Sequence, residues 1–515
     1  MNIKEICQEN RTHFQTMILK SKKNFSDGNY LRSTYYASFA AGFAWFHHPG
    51  LFFSEDLEST LLSTGANEVK NSNTRSINYN FSSDNRLRIL HVASEIHDTG
   101  GHTREIINWI ENSKEQYNNL LVLTRSLSVG SFIETIFRDN KIKIVFLNDT
   151  KSNIFSVASK LLKISKEWPD YIILHTHPDD VVPLLTYSSF EGAPILLFNH
   201  ADHVFWLGSE ISDAVLNIRR EGLDLSEKRR NTANNLLLPL PLKEKEPLKH
   251  KNEEKLFMKN KKIVISLASD YKYTPIEDYS FSNFFDKFLE KRRDVGLIVI
   301  GANKNGNLSS LSNKFSERVM LIPPTPNIGY FLSASDIYVD SFPMSSLTSY
   351  LDAGMLGIPI VGLKNNIIPF ISAEDPAFSD VSFPIFLNSA NNLEDELDRL
   401  IYSDKEREER GIKIRELIIK SHCGVSWFNL VNKNLKSTKK TSISNKKTLF
   451  IDKQLEYDEK LAIFFREINK NEAFAFKSYK WMRQFSYLHL NSVAGKNVEN
   501  IGHFIENIKR TKNNK

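Results

Sequence analysis

Hydrophobic and polar positions fall into three successive patterns along the chain. Residues 1 to 80 carry small and aromatic residues three and four apart, as in "NYLRSTYYASFAAGFAWFHHPG", the spacing of paired helices. The polar, turn-rich "NSNTRSINYNFSSDN", Asn71 to Asn85, reads as a linker after them. From Leu87 the pattern becomes short apolar runs separated by helical segments: "LRILHVA", "NLLVLT", "IKIVFL", "YIILH", "ILLFNH" and "AVLNI". Strands of this kind, alternating with helices, predict a parallel sheet covered on both faces. The charged stretch "PLKEKEPLKHKNEEKLFMKNKK", Pro241 to Lys262, breaks the pattern. It then restarts with "IVISLA", "VGLIVIG", "VMLI", "IYVD" and "IPIVGL".

The expected fold class is therefore α/β, with two doubly wound, Rossmann-like parallel sheets in series and helical additions at both ends. The expected blocks are a helical region 1–80, a first sheet domain 86–240, a linker 241–261, a second sheet domain 262–436 and a helical region 448–515. From about residue 390 onward the chain reads as helix throughout.

Composition narrows the function classes. With 41% hydrophobic and 25% charged residues, usage is that of a globular protein, and no apolar run is long enough for a membrane span. The net charge of +6, from 67 basic and 61 acidic residues, is too small to imply a nucleic-acid partner. The basic tail "IKRTKNNK" reads as a solvated end, with membrane-surface contact as the alternative. Cys7 and Cys423 form neither a disulfide framework nor a metal-ligand spacing, and the polar N-terminus is no secretory signal, so a cytoplasmic location is expected.

In open parallel sheets, ligands bind beyond the carboxyl ends of the strands. After the first strand comes "SEIHDTGGHTREIINWI". Gly100 and Gly101 there open a helix, and free backbone amides at such a start suit a phosphate or an oxyanion. The three-glycine dinucleotide pattern is absent. Two further strands end in "HTHPDD", His175 to Asp180, and "NHADHVFW", Asn199 to Trp206. "HTHPDD" differs by one residue from the H-x-H-x-D-H pattern of binuclear metallohydrolases. A polar cleft wall, a metal site and backbone-satisfied core histidines all remain open as readings.

The second sheet offers Lys272, just past the end of its first strand in "SLASDYKYTP", where an ammonium can meet a diphosphate. It also offers "DSFPMSSLTSYLDAGMLGIPIVGL", Asp340 to Leu363, in which a strand runs into hydroxyls at a helix start. Ser345 or Ser346 caps that helix, Thr348 and Ser349 fall in its first turn, and Asp352 lies on the face of Thr348. One helical turn, about 5.4 Å, is a sensible step from a bound phosphate to a ribose held by a carboxylate. Capping alone, with a solvent-facing aspartate, is the simpler alternative.

Three blocks in order, "DYKYTP", "PPTPNIGYFLSASDIYVDS" and the helix with its aspartate, make the second half similar to the protein O-GlcNAc transferase family and its bacterial cytoplasmic relatives. These are glycosyltransferases of the GT-B class, two parallel-sheet domains facing across a cleft. The resemblance implies that Lys272 and the amides near Leu347, Thr348 and Ser349 hold a donor diphosphate. It further implies that Asp352 binds ribose, and that the Pro323 to Pro326 loop meets the base through the Thr325 backbone. The family's His-Thr-Thr is Leu347-Thr348-Ser349 here. Met344 stands where retaining enzymes often carry a glutamate, which favours inversion. His102, His200 and Asp202 are the candidate bases for the acceptor hydroxyl.

The expected activity is transfer of a sugar, with UDP as the expected nucleotide, to a protein or surface-polysaccharide acceptor, without a bound metal or other cofactor. The N-terminal helices would present the acceptor or form a homo-oligomer contact. A nucleotide-sugar 2-epimerase of the same fold, and a catalytically inactive partner or chaperone of another transferase, are the alternatives.

Overall fold

The computed structural model describes residues 5–69, 85–97, 101–140, 142–149, 152–232, 234–247, 258, 261–372, 374–379, 381–441 and 455–470. The described residues within 1–218, 222–238 and 429–515 form one compact unit, and those within 219–221 and 239–428 form another. The chain opens with helices α1 (Glu5–Ser26), α2 (Tyr30–Phe46) and α3 (Glu55–Glu68). The first alternating segment runs β1 (Leu87–Ala93), α4 (Gly101–Ser113), β2 (Tyr117–Leu123), α5 (Ser131–Asp139), β3 (Lys143–Phe146), α6 (Ile154–Glu167) and β4 (Tyr171–His175). It continues through α7 (Val182–Thr186), β5 (Ile195–Asn199), β6 (Ala214–Asn217), α8 (Arg220–Arg229) and β7 (Asn235–Leu237).

The second segment runs β8 (Lys262–Leu267), α9 (Phe281–Lys291), β9 (Val295–Ile300), α10 (Ser309–Lys314), β10 (Val319–Ile322), α11 (Ile328–Ser333) and β11 (Ile337–Val339). After it come α12 (Leu347–Met355), β12 (Ile360–Leu363), β13 (Phe386–Leu387), α13 (Ala390–Tyr402), α14 (Asp404–His422), α15 (Gly424–Ser437) and α16 (Glu456–Lys470).

Both sheets are parallel. The first has the order β3-β2-β1-β4-β5-β6-β7 and the second β10-β9-β8-β11-β12-β13. In each, the chain winds outward one way, returns to the middle and winds outward the other way. The reversal lies between β1 and β4 and between β8 and β11, and such a switch leaves a crevice at the carboxyl edge. The α/β reading with two sheets in series holds. The sequence runs pointed to six and five strands; the structure adds one edge strand to each, β7 and β13, of three and two residues. A two-residue strand has no periodicity to read.

Burial follows the expected double winding. On one face of the first sheet, Leu90, Val92, Leu120, Val122, Ile172 and Leu174 join a core with Phe14, Ala37, Ala40, Ala41, Leu57 and Leu61 of the three N-terminal helices. On the other, Ala93, Leu121 and Leu123 pack with Ile106, Ile107 and Ile110 of α4 and Phe137 of α5. The N-terminal helices are thus part of the first unit's core. At Gly65 of α3 an added Cβ would stand 2.2 Å from the Leu185 carbonyl oxygen, so α3 and α7 touch backbone to backbone. The second sheet buries Val264, Leu297, Val299, Val339 and Val361 against Phe281, Phe285 and Phe288 of α9.

Helix α16 returns to the first unit through a buried ionic knot. Asp458 takes His48 Nε2 at 2.8 Å and Arg229 at 3.2 Å. No described helix is long and apolar enough to cross a membrane. The linker expected at Asn71 to Asn85 lies, apart from Asn85, outside the described residues. So do most of the expected linker 241–261 and all of residues 471–515, including the basic tail.

Candidate active site

The second sheet builds a cation and a helix start at its switch point. Past β8 the chain makes a 3-10 turn, Asp270–Tyr273, whose buried Tyr273 hydroxyl meets Ser266 Oγ at 2.9 Å. Lys272 is thereby turned inward, half-buried, and its Nζ donates to the Ser345 carbonyl at 2.8 Å. Burial depresses its pKa to about 8, opposed by Asp340 and reinforced by Arg219. A desolvated ammonium with a single carbonyl partner gains more from an arriving anion than a hydrated one does.

Asp340, directly after β11, shapes the start of α12. Its Oδ1 accepts from the backbone amides of Ser341 and Ser346, both at 2.9 Å, and its Oδ2 accepts from the Ser345 hydroxyl. Burial still raises its pKa to about 6 against those bonds. The Ser345 hydroxyl is therefore spent inside the protein. Ser346 occupies the cap position, but its side chain makes no capping bond; its hydroxyl instead donates to Ser349 Oγ at 3.0 Å. Among the described residues no protein acceptor meets the amides of Leu347 and Thr348. Orphan amides at a helix start, aligned with the helix dipole, form an anion site.

Asp352 lies one turn further along, partly exposed, and pairs with Lys245 Nζ at 2.7 Å. Thr325 sits in the exposed turn between β10 and α11, where its hydroxyl accepts from the Asn327 amide at 3.2 Å.

The first sheet gathers histidines at the equivalent point. Parallel pairing sets Ala93 of β1 level with His175 of β4. Gly101 opens α4, while Gly100 lies outside the described residues. His102, in the first turn of α4, donates from Nε2 to the His175 carbonyl at 2.8 Å, which leaves Nδ1 as the lone-pair nitrogen. Its pKa is held well below the ordinary histidine value, by burial first and then by His200 and His177. It is a neutral imidazole at neutral pH.

His200, just past β5, has both ring nitrogens engaged, Nδ1 with Glu105 Oε2 at 2.6 Å and Nε2 with His175 Nδ1 at 2.9 Å. Neither is left to take a proton from an acceptor. Asp202 is buried in the loop after β5; its Oδ2 would stand 2.6 Å from a Cβ at Gly222, and its Oδ1 lies 3.4 Å from His203 Nδ1. Of the three candidate bases, His102 alone presents an unengaged nitrogen with the right tautomer.

The acidic end of "HTHPDD" has a structural job. Asp180 Oδ2 accepts from the hydroxyls of Ser94 and Thr124, both at 2.6 Å, and Oδ1 from the Val182 amide at 3.0 Å. It ties together the carboxyl ends of β1, β2 and β4. Asp179 pairs with Arg125 at 3.1 Å. Among the described residues no group of three or more His, Cys, Asp or Glu side chains is arranged to hold a metal ion.

Sequence reasoning missed Glu105, His91 and Asn119, which complete the histidine cluster. Glu105 was within reach, because it follows His102 by three positions and so shares its helix face.

No family model and no curated protein matches the sequence. Among solved structures, the chain is similar to HepE of Anabaena, crystallised with UDP and glucose, at 13% identity and a TM-score of 0.51, over 68% of this chain and 100% of HepE. It is similar to a mutant O-GlcNAc transferase of Thermobaculum terrenum at 11% identity and a TM-score of 0.51, over 84% of each chain. TarM matches at 12% identity and a TM-score of 0.51, over 68% of this chain and 99% of TarM. With two parallel-sheet α/β domains of seven and six strands, the chain has the fold of the GT-B glycosyltransferases.

Proposed function

We propose that the protein is a glycosyltransferase that moves a sugar from a nucleotide-sugar donor, with UDP as the nucleotide, to a protein or surface-polysaccharide acceptor. The observation that carries this reading is the meeting of Lys272 with the start of α12, where the ammonium lies 2.8 Å from the Ser345 carbonyl and two helix amides await an acceptor. HepE, of like fold, was crystallised with UDP and glucose, which supports the choice of nucleotide.

In the reaction proposed, the donor diphosphate rests on Lys272 Nζ and the amides of Leu347 and Thr348. Asp352 exchanges Lys245 for the ribose hydroxyls, and the Thr325 backbone meets the base. His102 Nδ1 takes the acceptor's hydroxyl proton as that oxygen bonds to the anomeric carbon. The bond from that carbon to the diphosphate breaks, and the charge leaving with the diphosphate is met by an ammonium and helix amides. Met344 at the place of the glutamate common in retaining enzymes supports inversion, and the fixed cation supports chemistry without a metal. A cavity of about 690 Å³ beside α2 and the end of α3, lined by Tyr30, Tyr35, Tyr36 and Phe39 with Arg32 and Glu68, supports an acceptor role for the N-terminal helices.

The test is a melting-temperature screen against UDP, GDP and TDP. UDP at about 100 times its Kd should stabilise the fold by about 2.7 kcal/mol. A preference for GDP would overturn the nucleotide, and indifference to every nucleoside diphosphate would overturn the reading as a whole.

A further inference from the structure

Four hydrogen bonds join five side chains in a row across the first sheet. Glu105 Oε2 meets His200 Nδ1 at 2.6 Å, and His200 Nε2 meets His175 Nδ1 at 2.9 Å. His175 Nε2 meets His91 Nδ1 at 3.0 Å, and His91 Nε2 meets Asn119 Oδ1 at 3.0 Å. The row starts on α4, passes the ends of β5 and β4, enters β1 and finishes on β2. Each imidazole uses both of its nitrogens.

The direction of the row follows from its far end. Asn119 donates through Nδ2 to Ser113 Oγ at 3.2 Å, and the Ser113 hydroxyl donates to the Trp109 carbonyl at 2.9 Å. Asn119 therefore presents its oxygen to His91, so His91 Nε2 carries a proton. A neutral imidazole has one N–H. His91 Nδ1 is then an acceptor, which requires a proton on His175 Nε2; His175 Nδ1 is an acceptor in turn, which requires one on His200 Nε2. Three neutral rings have now supplied all three of their protons. At the last contact a ring lone pair would face a carboxylate oxygen at 2.6 Å, an arrangement that two acceptors cannot hold.

We propose that Glu105 and His200 share one proton beyond those of an ionised carboxylate and three neutral imidazoles, and that this row keeps His102 a neutral base with its lone pair on Nδ1. The second half rests on the glycosyltransferase reading; the proton count does not. His102 stands edge-on to His200, with ring centroids 4.5 Å apart, and its Nε2 is anchored on the carbonyl of His175, a member of the row. A proton residing on His200 opposes a second one on His102. Among the described residues, His177 and His97 also face His102, each with Glu95 behind it, at 4.0 Å from His177 and 3.4 Å from His97. Glu105, His200, His175 and His91 are thus positioning residues, and His102 is the group that meets the acceptor.

The experiment is ¹⁵N NMR of the histidine side chains in the intact protein, with Glu105→Gln as the paired variant. In the wild type, His91 and His175 should be Nε2–H tautomers, and His200 should show protons on both nitrogens. In Glu105→Gln the new amide can donate to His200 Nδ1, so His200 should become a neutral Nε2–H tautomer while the rest of the row stays as it was. A wild type with Nδ1–H tautomers at His91, His175 and His200 is the reversed row and overturns the proposal without any variant having to fold. With sugar transfer as readout, the acid limb of kcat/KM should rise by roughly one pH unit in Glu105→Gln while UDP affinity stays the same. An unmoved limb would overturn the coupling to His102. A wild type with the expected tautomers and no transfer of sugar overturns the proposed function and leaves the proton count standing.

Discussion

At the switch between its first and fourth strands, the first sheet carries histidines tied to one another and to a carboxylate. The second carries, at the same topological point, a half-buried ammonium and a helix start with open amides. Strand order is shared, so the difference comes from which residues follow the strands. The histidine row engages both nitrogens of each of its rings, while His102 beside it bonds through Nε2 and keeps the lone pair on Nδ1. The lysine and α12 leave amide donors without acceptors. One edge suits taking up a proton, and the other suits holding an anion. A shared architecture fixes where a site forms, while the side chains past the strand ends fix what it can do.

The largest expected effect that would break this division comes from His102→Ala. Turnover should fall about 10² to 10⁴-fold, the usual contribution of a general base, with UDP affinity unchanged in calorimetric titration. A loss of UDP binding in this variant would mean that the two edges do not divide the work. Next comes Lys272→Ala, which should weaken UDP by about 100-fold, since a charge-assisted bond to a phosphate is worth about 1.5–3 kcal/mol. Its histidine tautomers should not change.

A smaller effect comes from pH. In the free protein Lys272 titrates at about 8, so its charge, and the affinity for UDP, is fully present below that value and declines as pH rises through it. The loss should approach about tenfold per pH unit until the bound-state pKa is passed. Because the unfolded lysine keeps its proton to higher pH, the ligand-free fold gains stability over the same range. Titrations and thermal melts across that interval should therefore move in opposite directions, and parallel curves would exclude Lys272 as the titrating group.

The smallest effect is Lys245→Ala. The pair with Asp352 is partly exposed, with 46% and 19% of the two side chains accessible. Its removal should leave the melting temperature nearly unchanged and tighten UDP by about two- to fivefold, because one fewer partner then competes with ribose for the carboxylate. Weaker binding would show that Lys245 itself assists the donor.

Much of the fold was legible because buried strands of three to seven residues between helices leave a repeating trace. The edge strands β7 and β13 were not: β13 has two residues, and β7, although as long as β11, is only partly buried where β11 is fully buried. Lys272 and the α12 hydroxyls were visible as residue types at strand ends, yet their division of labour was not. Ser345 and Ser346 looked like interchangeable caps, whereas Asp340 claims the hydroxyl of the first and the amide of the second. The Ser345 hydroxyl is thus turned inward and that of Ser346 is spent on Ser349, while the amides of Leu347 and Thr348 remain for a ligand.

The histidines divide along the same line. From sequence alone His102 and His200 were equivalent, both following a strand and both able to act as a base. Pairing of β1 with β4 and of β4 with β5 brought His91, His175 and His200 within hydrogen-bond reach of one another, although 84 and 25 positions separate the successive partners. Local pattern determined the strands, the helices and the chemical types at their ends, because those depend on neighbours a few residues away. Only the tertiary structure decided which nitrogen, hydroxyl or amide was left over, because an unengaged group is defined by every partner around it, and most of those partners are distant in the chain.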